Sequence, residues 1–125
     1  MKILFTFILL LFSSSIIAND FYCFETHDKK GEMSIINELL FKKINQNYYE
    51  LSFPQYPEDS SQTFEITHQD NKILILNLSG IIDIHGYSFN IIIDKNDLTF
   101  GSASLYSPFE LENMELSYGY CRKLQ

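Results

Sequence analysis

Two cysteines, Cys23 and Cys121, stand one near each end of the chain, and they constrain its fold more than any other feature. An even cysteine count with no competing thiol reads as one disulfide in an oxidising compartment. A disulfide needs Cα atoms roughly 4.4 to 6.8 Å apart, so the first and last segments must lie side by side. No Cys-x-x-Cys spacing is present, which leaves little support for redox catalysis. In phase, Cys23 lies opposite Tyr22 and Phe24, and Cys121 lies opposite Tyr118 and Tyr120. This places both thiols on the less apolar face of their strands.

The compartment follows from the first residues. Lys2 precedes an apolar run from Ile3 to Phe12, then Ser13-Ser14-Ser15 and the small residue Ala18. Charge, apolar core and small-residue boundary in this order are the marks of a cleavable secretory signal. The run is short for a bilayer span, which takes roughly 20 apolar residues. We therefore expect residues 1–18 to be a signal peptide and 19–125 a single secreted β-domain, periplasmic or extracellular, with no membrane association in the mature form. The chain carries a net charge of −7, and losing Lys2 with the signal makes it about −8. Such a balance disfavours binding to phosphate backbones, so no nucleic-acid partner is expected, and it attracts basic macromolecules instead.

Between the cysteines, apolar residues recur with the period of strands. Tyr87, Phe89, Ile91 and Ile93 share one face, Asp94-Lys95-Asn96-Asp97 supplies turn chemistry, and alternation resumes at Leu98-Thr99-Phe100. Thr63–His68 and Lys72–Leu78 form a second hairpin about Gln69-Asp70-Asn71. Lys72–Leu78 is apolar on both faces, which suggests cover on both sides or a central place in the sheet. Leu39–Ile44 and Tyr48–Phe53 form a third about Asn45-Gln46-Asn47. Phe21–His27 and Met114–Lys123 are the terminal strands, and Pro54–Ser61 is a polar loop. The fold expected is mainly β: an antiparallel meander of about eight short strands forming a small barrel or barrel-like sandwich, with the terminal strands linked by the disulfide. Met33, Ile36, Leu40 and Ile44 also align on a helical face, which allows one short helix near 34–43.

No catalytic constellation assembles in the sequence. Each histidine lies near an acid, as in His27-Asp28, His68-Gln69-Asp70 and Asp83-Ile84-His85, and Asp83 and His85 would share a strand face. Nothing in that spacing brings three or four ligands together as zinc requires, so no metal or cofactor is expected. Gly101-Ser102-Ala103-Ser104 lacks the nucleophile elbow of serine hydrolases and reads as a strand of small residues. Glu110, Glu112 and Glu115 read as a solvated acidic loop. Asp94-Lys95-Asn96-Asp97 fails as a calcium loop because Leu98 takes the next ligand position. Asn77-Leu78-Ser79 is a formal glycosylation sequon in what reads as a buried strand. Among the eight tyrosines, Tyr56 stands in the proline-containing loop, where core packing explains it least, and it is the candidate partner contact.

An exported start, an early Tyr22-Cys23, the terminal Cys121 and the meander between them resemble, in layout, small exported bacterial β-proteins such as periplasmic inhibitors of c-type lysozyme. The likeness is one of architecture. The tryptophan-containing segment of that family is missing, no residue is carried over from it, and no assignment is made. The sequence thus ranks first a non-enzymatic binding protein, inhibitor or immunity-like, acting on another and basic protein. A binder of a small apolar ligand in a barrel cavity, or an envelope structural factor, is the alternative.

Overall fold

A computed structural model of the chain describes residues 20–27, 33–108 and 110–124. The signal peptide expected at residues 1–18 lies outside them. Eight strands follow in order: β1 (Asp20–His27), β2 (Met33–Lys43), β3 (Tyr48–Ser52), β4 (Gln62–Gln69), β5 (Ile73–Ile82), β6 (His85–Asp94), β7 (Thr99–Tyr106) and β8 (Met114–Leu124), with a 3-10 turn at Leu111–Asn113 before the last. Each strand pairs antiparallel with its neighbour, and β8 returns to pair with β1, so the meander closes into a barrel with no free sheet edge.

The seam of this closure is the disulfide. Cys23 and Cys121 are register partners across β1 and β8, bonded to each other with Cα atoms 4.0 Å apart. Their placement corrects one expectation. Both point into the core with Phe21, and the face opposite, which the sequence makes more aromatic, is the outer wall. There the rings stabilise one another: Phe24 stacks on Tyr120 at 5.1 Å, Tyr22 packs on Phe24 at 5.1 Å, and the Arg122 guanidinium lies 5.0 Å over Tyr22. Tyrosine suits such a site because its ring is partly covered while its hydroxyl keeps a polar partner, as when Tyr22 donates to Glu38.

A second correction concerns residues 34–43. They are strand, not helix, because β2 pairs with β1 at Met33 and from Asn37 to Phe41 and with β3 from Leu40 to Lys43. Leu39 and Phe41 fill the interior in alternation with the more exposed Leu40 and Lys42. Ladder bonds to these two neighbours outweigh the local helical spacing. A third concerns β5, whose outer face no layer of the described residues covers. Ile73 and Ile75 lie half-buried there, and Ile75 pairs with the exposed Ile92 across β6.

One end of the barrel is solid. Phe21, Phe41, Tyr49, Phe64, Leu74, Leu76, Ile91 and Ile93 are fully or almost fully buried there, one or two from each of β1 to β6, with Phe100 and Cys121 completing the ring from β7 and β8. Burial of the Tyr49 ring, and then the nearby Asp20 charge, push its phenol well above the ordinary range, so it stays neutral in the core.

The turns at this end share one device. Asn45 Oδ1 accepts the backbone N–H groups of Asn47 and Tyr48, Asp70 Oδ1 those of Lys72 and Ile73, and Asp94 Oδ1 those of Asn96 and Asp97, all at 2.8 to 3.1 Å. Short polar side chains that bond the backbone two and three residues ahead fix the hairpins and hence the strand register.

Asp70 illustrates the electrostatics of such a turn. The N–H groups of Ile73 and Lys72, and then His68 at 2.9 Å, hold its carboxyl well below the usual carboxylate range. A depressed folded-state pKa contributes stability above the unfolded value, near 4, and that contribution is lost as pH falls below it. We expect Asp70→Ala to lower the thermal midpoint at pH 7 and the gap from wild type to narrow by pH 2.5. Melting both proteins across that range checks the sign, and a gap that widens with acid would contradict it.

Candidate functional site

The chain reverses at the solid end through its β2–β3, β4–β5 and β6–β7 turns. The opposite end carries, among the described residues, 53–61, 83–84, 107–108 and 110–113 from the connections between strands, and it is open. The reason lies in side-chain size. Eight strands enclose a space that large side chains just fill. Near the solid end the inward positions of β7 and β8 are Phe100 and Cys121, but toward the open end they become Ser102, Ser104 and Ser117. Replacing rings with hydroxymethyl groups on one wall leaves room inside.

The room is measurable. A hollow of about 440 Å³ lies over the core, floored by Leu39, Leu51, Ile91 and Phe100 and walled by Phe53 and Phe89 on one side and by the three serines on the other. A second, of about 500 Å³, reaches the rim among Leu78, Ile82, Tyr87 and Tyr106. The two share Gln62, Phe89 and Ser104, so they form adjoining parts of one mouth. Each falls within the roughly 300 to 1,000 Å³ that small-molecule sites occupy.

Its walls differ in chemistry. The Phe89 ring meets the buried Phe64 edge to face at 5.5 Å, anchoring the apolar wall to the core. Tyr87 lies across Gly80 on the neighbouring strand, its hydroxyl 3.0 Å from where a Cβ would stand, so a larger residue at position 80 would press the ring a few tenths of an ångström away from its place at the rim. On the polar wall, Ser102 and Ser117 are hydrogen-bonded to each other across β7 and β8. Beside them, Asn37 Nδ2 donates to Glu25 Oε2 at 3.4 Å, and Glu115 completes the lining. Glu115 belongs to β8, and Glu110 and Glu112 lie in and before the 3-10 turn beside the mouth.

Of the residues singled out in the sequence, Cys23 and Cys121 hold the barrel shut at its solid half. Tyr56 is about half exposed in the β3–β4 connection at the open end, where its N–H bonds Phe53 O at 2.9 Å, and its side chain lines neither hollow. Asp83 and His85 both border the second hollow, but Asp83 sits in the two-residue β5–β6 turn at φ 57°, not in a strand. His68 is at the other end with Asp70, so His68 and His85 do not converge, and among the described residues no group of three or more His, Cys, Asp or Glu is placed to hold a metal. Asn77, in the sequon, faces outward in a network with Ser79, Ser88 and Asn90. The segment Gly101-Ser102-Ala103-Ser104 is a strand of small residues as its sequence suggests, but neither it nor Ser117 was given a part in a site, and their significance is their smallness. A strand of small residues opposite strands of large ones was the available signal.

Compared with protein-family models, with characterised proteins and with solved structures, the chain matches none, so its activity has to be argued from this mouth alone.

Proposed function

We propose that the chain is an exported, non-enzymatic binding protein whose barrel takes up a small amphipathic molecule through its open end. The observation that carries this reading is the adjoining pair of hollows over a solid apolar floor, lined by Phe53, Leu78, Tyr87 and Phe89 on one side and by serines on the other. An apolar cup with a few directed polar groups is the usual form of a small-molecule site. The disulfide is compatible with an oxidising, extracytoplasmic setting. The outer wall supports a water-facing exterior, since Lys42, Glu50 and Glu65 interrupt it within β2, β3 and β4, where a membrane barrel would present an apolar band. A non-catalytic role fits the pairing of Ser102 with Ser117, in place of a histidine base that would activate a serine.

The test is uptake of N-phenyl-1-naphthylamine, a neutral apolar dye that fluoresces when shielded from water. Wild-type protein is expected to enhance its emission saturably, and Ser104→Phe, which fills space common to both hollows, to weaken dye affinity at least about tenfold, the loss of roughly 1.4 kcal/mol of binding. Equal affinity in the two proteins would contradict the reading.

A protein partner is the second reading, favoured by the exposed Tyr56 with the exposed Glu58 and Asp59 next to it in the same connection. It predicts that Tyr56→Ala abolishes capture of a basic protein at low salt while dye uptake persists.

A further inference from the structure

We infer that the ligand lies head down, with a hydroxyl-rich head, such as a sugar ring or a glycerol, in the hollow over the core and its apolar tail in the rim hollow. The inference rests on the cavity reading above and adds the chemistry of the head and the direction in which the molecule lies. It starts from two polar side chains. Ser104 on β7 and Gln62 at the start of β4 each line both hollows, so they stand at the junction between them. By alternation Gln62 shares the inward face of β4 with the buried Phe64, and neither its amide nor the Ser104 hydroxyl is hydrogen-bonded to another described residue. Each of these groups can both donate and accept, and so can the hydroxyls of a sugar or a glycerol.

The hollow over the core extends this chemistry. Ser102 and Ser117 are hydrogen-bonded to each other, and in such a pair one of the two hydroxyl protons is left for the occupant. Glu115 adds acceptors, which hydroxyl protons of the head can meet. Phe53 and Phe89 face these groups across the hollow and offer apolar surface to the C–H side of a sugar ring. The rim hollow differs because its own serines are already engaged. Ser107 Oγ accepts the Gly86 N–H at 2.9 Å, and Ser88 Oγ is bonded within the outward network, to Ser79 at 3.0 Å and Asn90 at 3.2 Å. Asp83 and His85 stand at its margin, in and beside the β5–β6 turn. The surface left is that of Leu78, Ile82 and the rings of Tyr87 and Tyr106, which suits a hydrocarbon chain.

Octyl glucoside and octan-1-ol share a tail and differ in head, and each is titrated below its micelle-forming concentration against protein loaded with the naphthylamine dye. Octyl glucoside should displace the dye at a concentration at least about tenfold lower than octanol, although octanol is the more hydrophobic of the two. The double variant Gln62→Leu/Ser104→Ala removes both junction groups and keeps the space. It should erase that preference and leave octanol within about twofold of its wild-type affinity. In isotopically labelled wild-type protein, filtered NOEs should join the sugar protons to Phe53 and Ser117 and the terminal methyl to Leu78 and Ile82. Octanol displacing as well as the glucoside, the preference surviving in the double variant, or the sugar found at Leu78 and Ile82 overturns the inference while the cavity reading stands. Failure of the dye itself to bind removes both.

Discussion

Gly119→Ala should be among the most damaging single substitutions in this protein, costing about 3 kcal/mol or more of folding stability. A Cβ at Gly119 would lie 1.9 Å from the carbonyl oxygen of Phe24 and 2.9 Å from its carbon, with Phe100 Cε1 at 3.0 Å. A side-chain tip can swing aside from such a clash, but a strand backbone cannot. Gly119 stands opposite Glu25, where β1 bulges between Glu25 and His27, and the bulge brings the two backbones together at the barrel seam. Added bulk must push β1 away, so both the closure and the Glu25 wall of the hollow suffer. Gly101 is the control, because a Cβ there meets nothing within 4 Å, and Gly101→Ala should change stability by no more than about 0.5 kcal/mol. Urea denaturation of the two variants decides the matter, and equal midpoints would refute the seam contact.

Loss of the disulfide should have the next largest effect, about 2 to 5 kcal/mol by reduction or in Cys23→Ala/Cys121→Ala. The sequence separation of 98 residues makes the closed loop nearly the whole barrel, so the cross-link constrains almost the entire unfolded chain. The barrel should still form, because Phe21, Phe41 and Phe64 fill the solid half without it. The seam should open first. Amides of Tyr22 and Arg122, register partners beside the disulfide, should exchange faster on reduction, while that of Leu76 between β4 and β6 should follow only the global change. A reductant-induced change below about 1 kcal/mol would contradict this.

The solid half of the barrel was legible in the sequence because its rules are local. Alternation at Tyr87–Ile93 and the Asx turns at Asn45, Asp70 and Asp94 each act within a few residues, and two terminal cysteines suffice to demand closure. Which face turned inward at β1 and β8 was not legible, because hydropathy favours Tyr22, Phe24, Tyr118 and Tyr120 as core residues. Only closure with a finite interior leaves them outside, stacked on one another. Residues 34–43 misled for a similar reason, since helical spacing of Met33, Ile36 and Leu40 is visible locally whereas ladder bonds to β1 and β3 are not. The mouth was hidden most deeply. Ser102, Ser104 and Ser117 are unremarkable in sequence, and Glu25 and Asn37 lie far from them along the chain. Emptiness is a property of what faces them across the barrel.

The most direct test of the mouth is to map N-phenyl-1-naphthylamine on the isotopically labelled protein by two-dimensional NMR. The account predicts saturable shifts at Leu78, Phe89, Ser104 and Ser117, with Leu74 and Ile93 in the solid half nearly still. Shifts that gather instead on the outer wall about Tyr118 and Tyr120, with Phe89 and Ser104 unmoved, would contradict it.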